Sequence, residues 1–178
     1  CTEQNLIVVT VSRRQFETAE GHCKRCLLYS RRYGLDGEVK TTMIFTALRS
    51  YCQLRVRELN YSSAVIFAEE CYNLVVEAYD CVHPQVQEAA SWLIGCLIHK
   101  GDLSNAERYA EQTYANLRDL KNGMDQNFEQ VAHGAYNLAD VIFRQENGDL
   151  VKAEGLAREA IRIKDQLSDA YHRTTSIQ

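Results

Sequence analysis

The sequence predicts an all-α chain built as a solenoid of antiparallel helix pairs, and three observations carry that expectation. Proline occurs once in 178 residues, and proline breaks helices by removing an N–H and crowding the preceding turn. An alanine followed by small or apolar residues at i+4, i+7 and i+8 recurs four times, a spacing that lines one stripe of an α-helix. The anchoring alanines Ala19, Ala64, Ala106 and Ala153 stand 45, 42 and 47 residues apart, which leaves room in each period for two helices and a connector.

In chain order, the first unit covers about residues 1–33. Its first helix is marked by the apolar pair Leu6/Ile7, and its second by Ala19, Cys23, Cys26 and Leu27. The second, residues 43–80, has Tyr51/Cys52 and then Ala64, Ala68, Cys71 and Tyr72. The third, 85–120, has Leu93/Ile94 and then Ala106, Ala110, Thr113 and Tyr114. The fourth, 129–167, has Leu138/Ala139 and then Ala153, Ala157, Ala160 and Ile161, and residues 168–178 lead toward a further repeat. Phe16, Tyr61, Leu103 and Leu150 stand three residues before the anchoring alanines. Gly101-Asp102 and Gly148-Asp149 predict turns at which glycine supplies φ > 0; Arg14 and Leu59 hold those places in the first two units. Pro84, after His83, lies where a helix can start. Short side chains on one stripe let neighbouring helices approach closely, and larger ones fill the space beside them.

These residues resemble the tetratricopeptide repeat, and most closely its longer kinesin-light-chain-like variant, with units of about 42 residues instead of ~34. The resemblance is carried by Asn5-Leu6 with Phe16-Glu17-x-Ala19-Glu20, by Gly101-Asp102-Leu103-x-x-Ala106-Glu107, and by Asn137-Leu138-Ala139 with Gly148-Asp149-Leu150-x-x-Ala153-Glu154. Tyr79-Asp80-x-x-His83-Pro84-x-Val86 matches the variant's long connector, Tyr33-Gly34-x-Asp36-Gly37-x-Val39 matches it loosely, and Asp169-Ala170-Tyr171-His172 resembles the start of another. The second unit departs in lacking the turn glycine and in carrying Val65 where Glu is usual. The resemblance implies a right-handed superhelix whose first helices line a concave groove that binds peptides.

Composition narrows the remaining classes. A net charge of −4 gives no general basic field for nucleic acid or anionic membrane. No run approaches the roughly 18 apolar residues of a membrane span. Seven cysteines without framework spacing suit a reducing compartment, so a cytoplasmic location is expected, and Asn60-Tyr61-Ser62 is read as a chance sequon. The chain begins at Cys1 and not Met, which suggests an excerpt of a longer array.

The one motif suggestive of chemistry is His22-Cys23-x-x-Cys26, three potential zinc ligands or a redox pair. Both cysteines occupy stripe positions, where cysteine acts as a small hydrophobe, and no second CxxC supplies further ligands. No histidine pair has i, i+4 spacing, and no phosphate loop or Ser–His–Asp constellation can be assembled. No enzyme, cofactor or metal is expected. Arg13-Arg14, Arg31-Arg32 and Arg55-x-Arg57 lack interleaved aromatics and read as solvated helix ends.

Registering the first helices on their apolar pairs places Asn5, Ser50, Trp92 and Asn137 at the groove. Gln53, Gly95 and Asp140 follow one turn later, then Arg57, His99 and Arg144, with Arg49, Ser91 and Tyr136 alongside. Asparagine amides pair with a peptide backbone without reading side chains, a role that the resemblance implies for Asn5 and Asn137. Arg49, Arg57 and Arg144 suit carboxylates, and Trp92 and Tyr136 suit apolar anchors. The expected function is a protein-interaction scaffold or adaptor binding an extended, acidic peptide. Its alternatives are a structural segment that self-associates through uncapped ends, and a metal- or redox-responsive segment built on His22, Cys23 and Cys26.

Overall fold

Helix starts in this chain are set by side chains that satisfy the first free backbone N–H groups, which have no partner within the helix. Asn60 accepts from the Ser63 amide at 3.2 Å, Asp102 from Asn105 at 3.3 Å, and Asp149 from Lys152 at 3.0 Å. In each case a second helix of a pair begins on the next residue. The computed structural model describes residues 7, 10, 15–32, 37–120 and 128–175, with only the backbone at 120, 128 and 169–175.

Among the described residues the helices are α1 (Phe16–Arg32), α2 (Glu38–Arg57), α3 (Tyr61–Ala78), α4 (Pro84–Lys100), α5 (Leu103–Leu120), α6 (Phe128–Arg144) and α7 (Leu150–Thr175), and no strand occurs. The fold is all-α, as expected. Two compact units divide it, residues Cys1–Lys100 and Gly101–Gln178.

The residue ahead of each cap shows how the turns are made. Gly101 takes φ 84°, the left-handed conformation expected of it. Leu59 takes φ 59° at the equivalent place, so the turn is kept without its glycine. Gly148 departs from expectation, because its φ is not in the left-handed region. Glycine is needed there for a different reason: a Cβ would collide with the Ile142 carbonyl oxygen. The Tyr79–Pro84 connector is closed by aromatic stacking. The Tyr79 and His83 rings lie 3.9 Å apart and nearly parallel, and His83 Nδ1 accepts from the Gln85 amide at the start of α4.

In the first unit the helices pack in sequence order around fully buried Leu48, Leu54, Val75, Leu93 and Leu97. Ile7, Cys23 and Tyr51 form a cluster at one side, with Tyr51 stacked on Phe67 at 4.6 Å. In the second unit Leu117, Val131, Val141, Ile142 and Ile163 form the centre. The small-residue stripe is buried as anticipated at Ala19, Cys23, Ala64, Ala68, Cys71, Tyr72, Ala106, Ala110, Thr113 and Tyr114. It is not buried throughout: Cys26 and Leu27 of α1 and Ala157 of α7 are half-buried, and Ile161 is 60% exposed. A second difference lies at the end of α7, which continues through Asp169-Ala170-Tyr171-His172 where a connector was expected. No glycine or proline follows Gly155 to interrupt it.

Two stability changes follow from the turns. Leu59→Gly removes a left-handed strain of about 1–2 kcal/mol at some entropic cost, a net gain of about 0.5–1 kcal/mol. Thermal unfolding should shift upward by roughly 1–4 °C. Gly148→Ala should destabilise by about 2 kcal/mol or more, since the obstruction is backbone and cannot rotate away; denaturant titration measures it.

Candidate functional site

Of the residues expected to contact a partner on α2 and α4, Arg49 and His99 are engaged with neighbouring helices. Arg49 donates to Glu88 of α4 at 2.6 Å and is 35% exposed. Gln53 and Trp92 are half-buried, and Arg57 is exposed at the end of α2. The His99 ring stacks on Tyr61 at 5.1 Å. Ser50, expected at the groove, is instead buried and donates to the Thr46 carbonyl at 2.8 Å. Its place one residue before Tyr51 turns it into the helix interface. Asn5 lies outside the described residues.

On α6 the picture differs. Tyr136 is 57% exposed, Asn137 is half-buried, and Asp140 accepts from its own Arg144 at 2.9 Å. Tyr136 and Asp140 share one wall of a groove of about 380 Å³, together with Ala139 and Phe143 of the same helix. Leu150, Ala153, Glu154 and Ala157 of α7 form the other wall. Both walls repeat the spacing i, i+3, i+4, i+7, which is one helix face. The lining is almost wholly apolar, with Phe143 70% exposed. The volume falls within the usual range for ligand sites.

Sequence reasoning found Tyr136 and Asp140 but assigned Leu150, Ala153 and Ala157 to internal packing, and it passed over Phe143. The available signal was that Phe143 sits seven residues after Tyr136, on the same face. A second concavity of about 550 Å³ lies between α5 and α7. Within it Lys152 pairs with Glu111 at 2.8 Å, and the Tyr114 hydroxyl donates to Glu159 at 2.7 Å.

The cysteines are packing residues wherever burial decides their chemistry. Cys23 is fully buried, and burial pushes its thiol up to about 12; burial does the same to Cys71. Cys26 is half-buried, and His22 meets the Arg25 guanidinium through Nδ1 at 2.7 Å. Among the described residues no group of three His, Cys, Asp or Glu side chains is placed to hold a metal ion. Among them, too, no helix is long and apolar enough to cross a membrane.

Capped second helices, small-residue stripes and two-helix periods together define an array of tetratricopeptide-like helix pairs. A solved structure with this fold is described as Podosopora anserina kinesin light chain nearly identical TPR-like repeats. It has a TM-score of 0.54 and 11% identity over 93% of this chain and 95% of that one. At that identity the likeness establishes the fold. No family model matches the sequence, and no curated protein matches it.

The Cys23 thiol should be nearly inert. A shift from the ordinary 9.0 to about 12 lowers the thiolate fraction at neutral pH by roughly a thousandfold. Iodoacetamide labelling of native protein, mapped by mass spectrometry, should modify Cys23 at least ~100-fold more slowly than after unfolding.

Proposed function

We propose that this chain is a protein–protein interaction scaffold, in which helix pairs hold a binding surface in place and catalyse nothing. The observation that carries this reading is the α6/α7 groove, which leaves Tyr136, Phe143 and Leu150 largely in water. Clustered apolar exposure of this kind marks an interaction surface, whereas single exposed apolar residues do not. The four units at 1–33, 43–80, 85–120 and 129–167 form one array in this proposal, working as an adaptor in the cytoplasm.

An extended acidic partner is supported by exposed Arg57 at the end of α2. Arg49 and Arg144 already hold Glu88 and Asp140, so an acidic segment has to compete with those pairs. Exposed pairs of this type contribute little, about 0–1 kcal/mol, so competition is feasible. The apolar groove contributes the larger share of binding.

Panning a random peptide library on the protein tests this reading. Enriched peptides should bind Tyr136→Ala at least about tenfold more weakly, with an unchanged far-UV circular dichroism spectrum. If binding is instead insensitive to Tyr136→Ala, Arg57→Glu and Asn137→Ala, the site assignment fails. Enrichment of nothing, together with concentration-dependent dimers in light scattering, favours the self-associating spacer.

A further inference from the structure

Two buried thiols of the first unit face each other, and neither lies on the second-helix stripe that accounts for Cys23 and Cys71. Cys52 is on α2 and Cys96 on α4, both 1% exposed, and their sulfurs share a hydrogen bond at 3.4 Å. Aligning the first helices on their apolar pairs puts Leu54 and Val141 where α4 has Cys96, and Ile94 and Ala139 where α2 has Cys52. All four are buried. Aliphatic side chains thus meet the packing need at these two levels, and packing does not require sulfur at either.

The helices that carry the pair are held together by contacts that do not involve sulfur. Gln85, at the start of α4, donates to the Thr42 hydroxyl of α2 at 3.2 Å, and Glu88 accepts from Arg49 at 2.6 Å. Beyond Cys96 on α4, His99 stacks on Tyr61 of α3 at 5.1 Å. A disulfide needs sulfurs about 2.05 Å apart. Side-chain rotation and a small helix shift can share the remaining closure. Cys71 of α3 is also near Cys52, but its sulfur meets the Phe45 carbonyl at 3.8 Å, and burial pushes its thiol up to about 12.

We propose that Cys52 and Cys96 are a redox pair that closes into a reversible disulfide locking α2 to α4, with hydrogen peroxide as the oxidant. The hydrogen bond from Cys52 holds the Cys96 thiol below its ordinary value, while that bond, and then burial, push Cys52 above its own. Cys96 is therefore the first to lose its proton. Its thiolate attacks one peroxide oxygen, the O–O bond breaks, and the departing hydroxide takes up the released proton as water. That leaves a sulfenic acid at Cys96. The Cys52 sulfur then attacks the Cys96 sulfur, its proton leaving with the hydroxyl group as a second water. Two thiols and one peroxide become one disulfide and two waters. Both sulfurs are out of solvent, so this small neutral oxidant enters during local opening of the helices. Cys52 is then the nearest nucleophile to the sulfenic acid. Because α2 and α4 also carry Gln53, Arg57 and Trp92, the lock fixes the spacing of residues expected to meet a partner.

The test treats the whole native protein with hydrogen peroxide, then alkylates it and maps its peptides without reduction. A peptide pair joining Cys52 to Cys96 is expected, with an intact mass lower by two hydrogens. A cross-link of this span should raise the thermal midpoint by roughly 5–10 °C. Dithiothreitol without denaturant should return both mass and midpoint. Cys52→Ala and Cys96→Val, the residues that α6 carries at those positions, should each abolish the link and the shift. Cys71→Ala should leave both in place. Absence of the Cys52–Cys96 link, a link to Cys71 in its stead, or sulfinic acid at Cys96 overturns the proposal. So does a link that leaves the midpoint unchanged or lower, or one that dithiothreitol opens only after unfolding.

Discussion

Close approach of helices at alanine and cysteine is the constraint on which the rest of this structure depends. Ala64, Ala68, Ala106 and Ala110 are essentially inaccessible to solvent, as are Cys23 and Cys52. Each stands where a neighbouring helix passes over the stripe. A larger side chain there would force neighbours off their rotamers, at a typical cost of about 1–3 kcal/mol per site. Because the stripe keeps helices close, the leucines beside it fill the remaining space, and the flanking tyrosines are drawn partly inward. The cysteines belong to this geometry. Cys23 sits where other units place alanine, and its raised thiol pKa is a consequence of that burial, not a sign of reactivity.

The stripe also explains why the groove exists. A helix pair presents small residues to whatever lies over it, and in the first unit α4 lies over α2 and α3. On α6 and α7 the same kind of surface is present, but Tyr136, Phe143, Leu150 and Ile161 remain largely exposed. This exposed surface has the composition of a packing surface, with small residues along the stripe and apolar side chains beside them.

Turn chemistry shows how much of this fold was written locally. The caps Asn60, Asp102 and Asp149 are legible in the sequence, because an oxygen-bearing side chain just before a periodic run satisfies the amides that a helix leaves free. The His83-Pro84 connector was likewise legible. Two details were not. Leu59 adopts a left-handed backbone because the cap and the two helices on either side determine the chain path more strongly than its own preference does. Gly148 is demanded by a carbonyl brought near by a longer turn, a contact between residues whose spacing in sequence does not reveal it.

What the sequence by itself determined was periodicity: the all-α class, the alternation of helices, the positions of stripe and cap, and the placement of Cys23, Cys26 and Cys71 on the stripe. These follow from intervals of three, four and seven residues, which act within one helix. Only the tertiary structure decided which stripe residues are covered. Ala64 and Ala153 read alike as letters, yet the pairs they anchor differ in what lies over them. Ser50 and Tyr136 likewise both read as groove residues, but one is turned into a helix interface and the other into water. Burial depends on a second helix that arrives from elsewhere in the chain, and no local interval encodes its arrival.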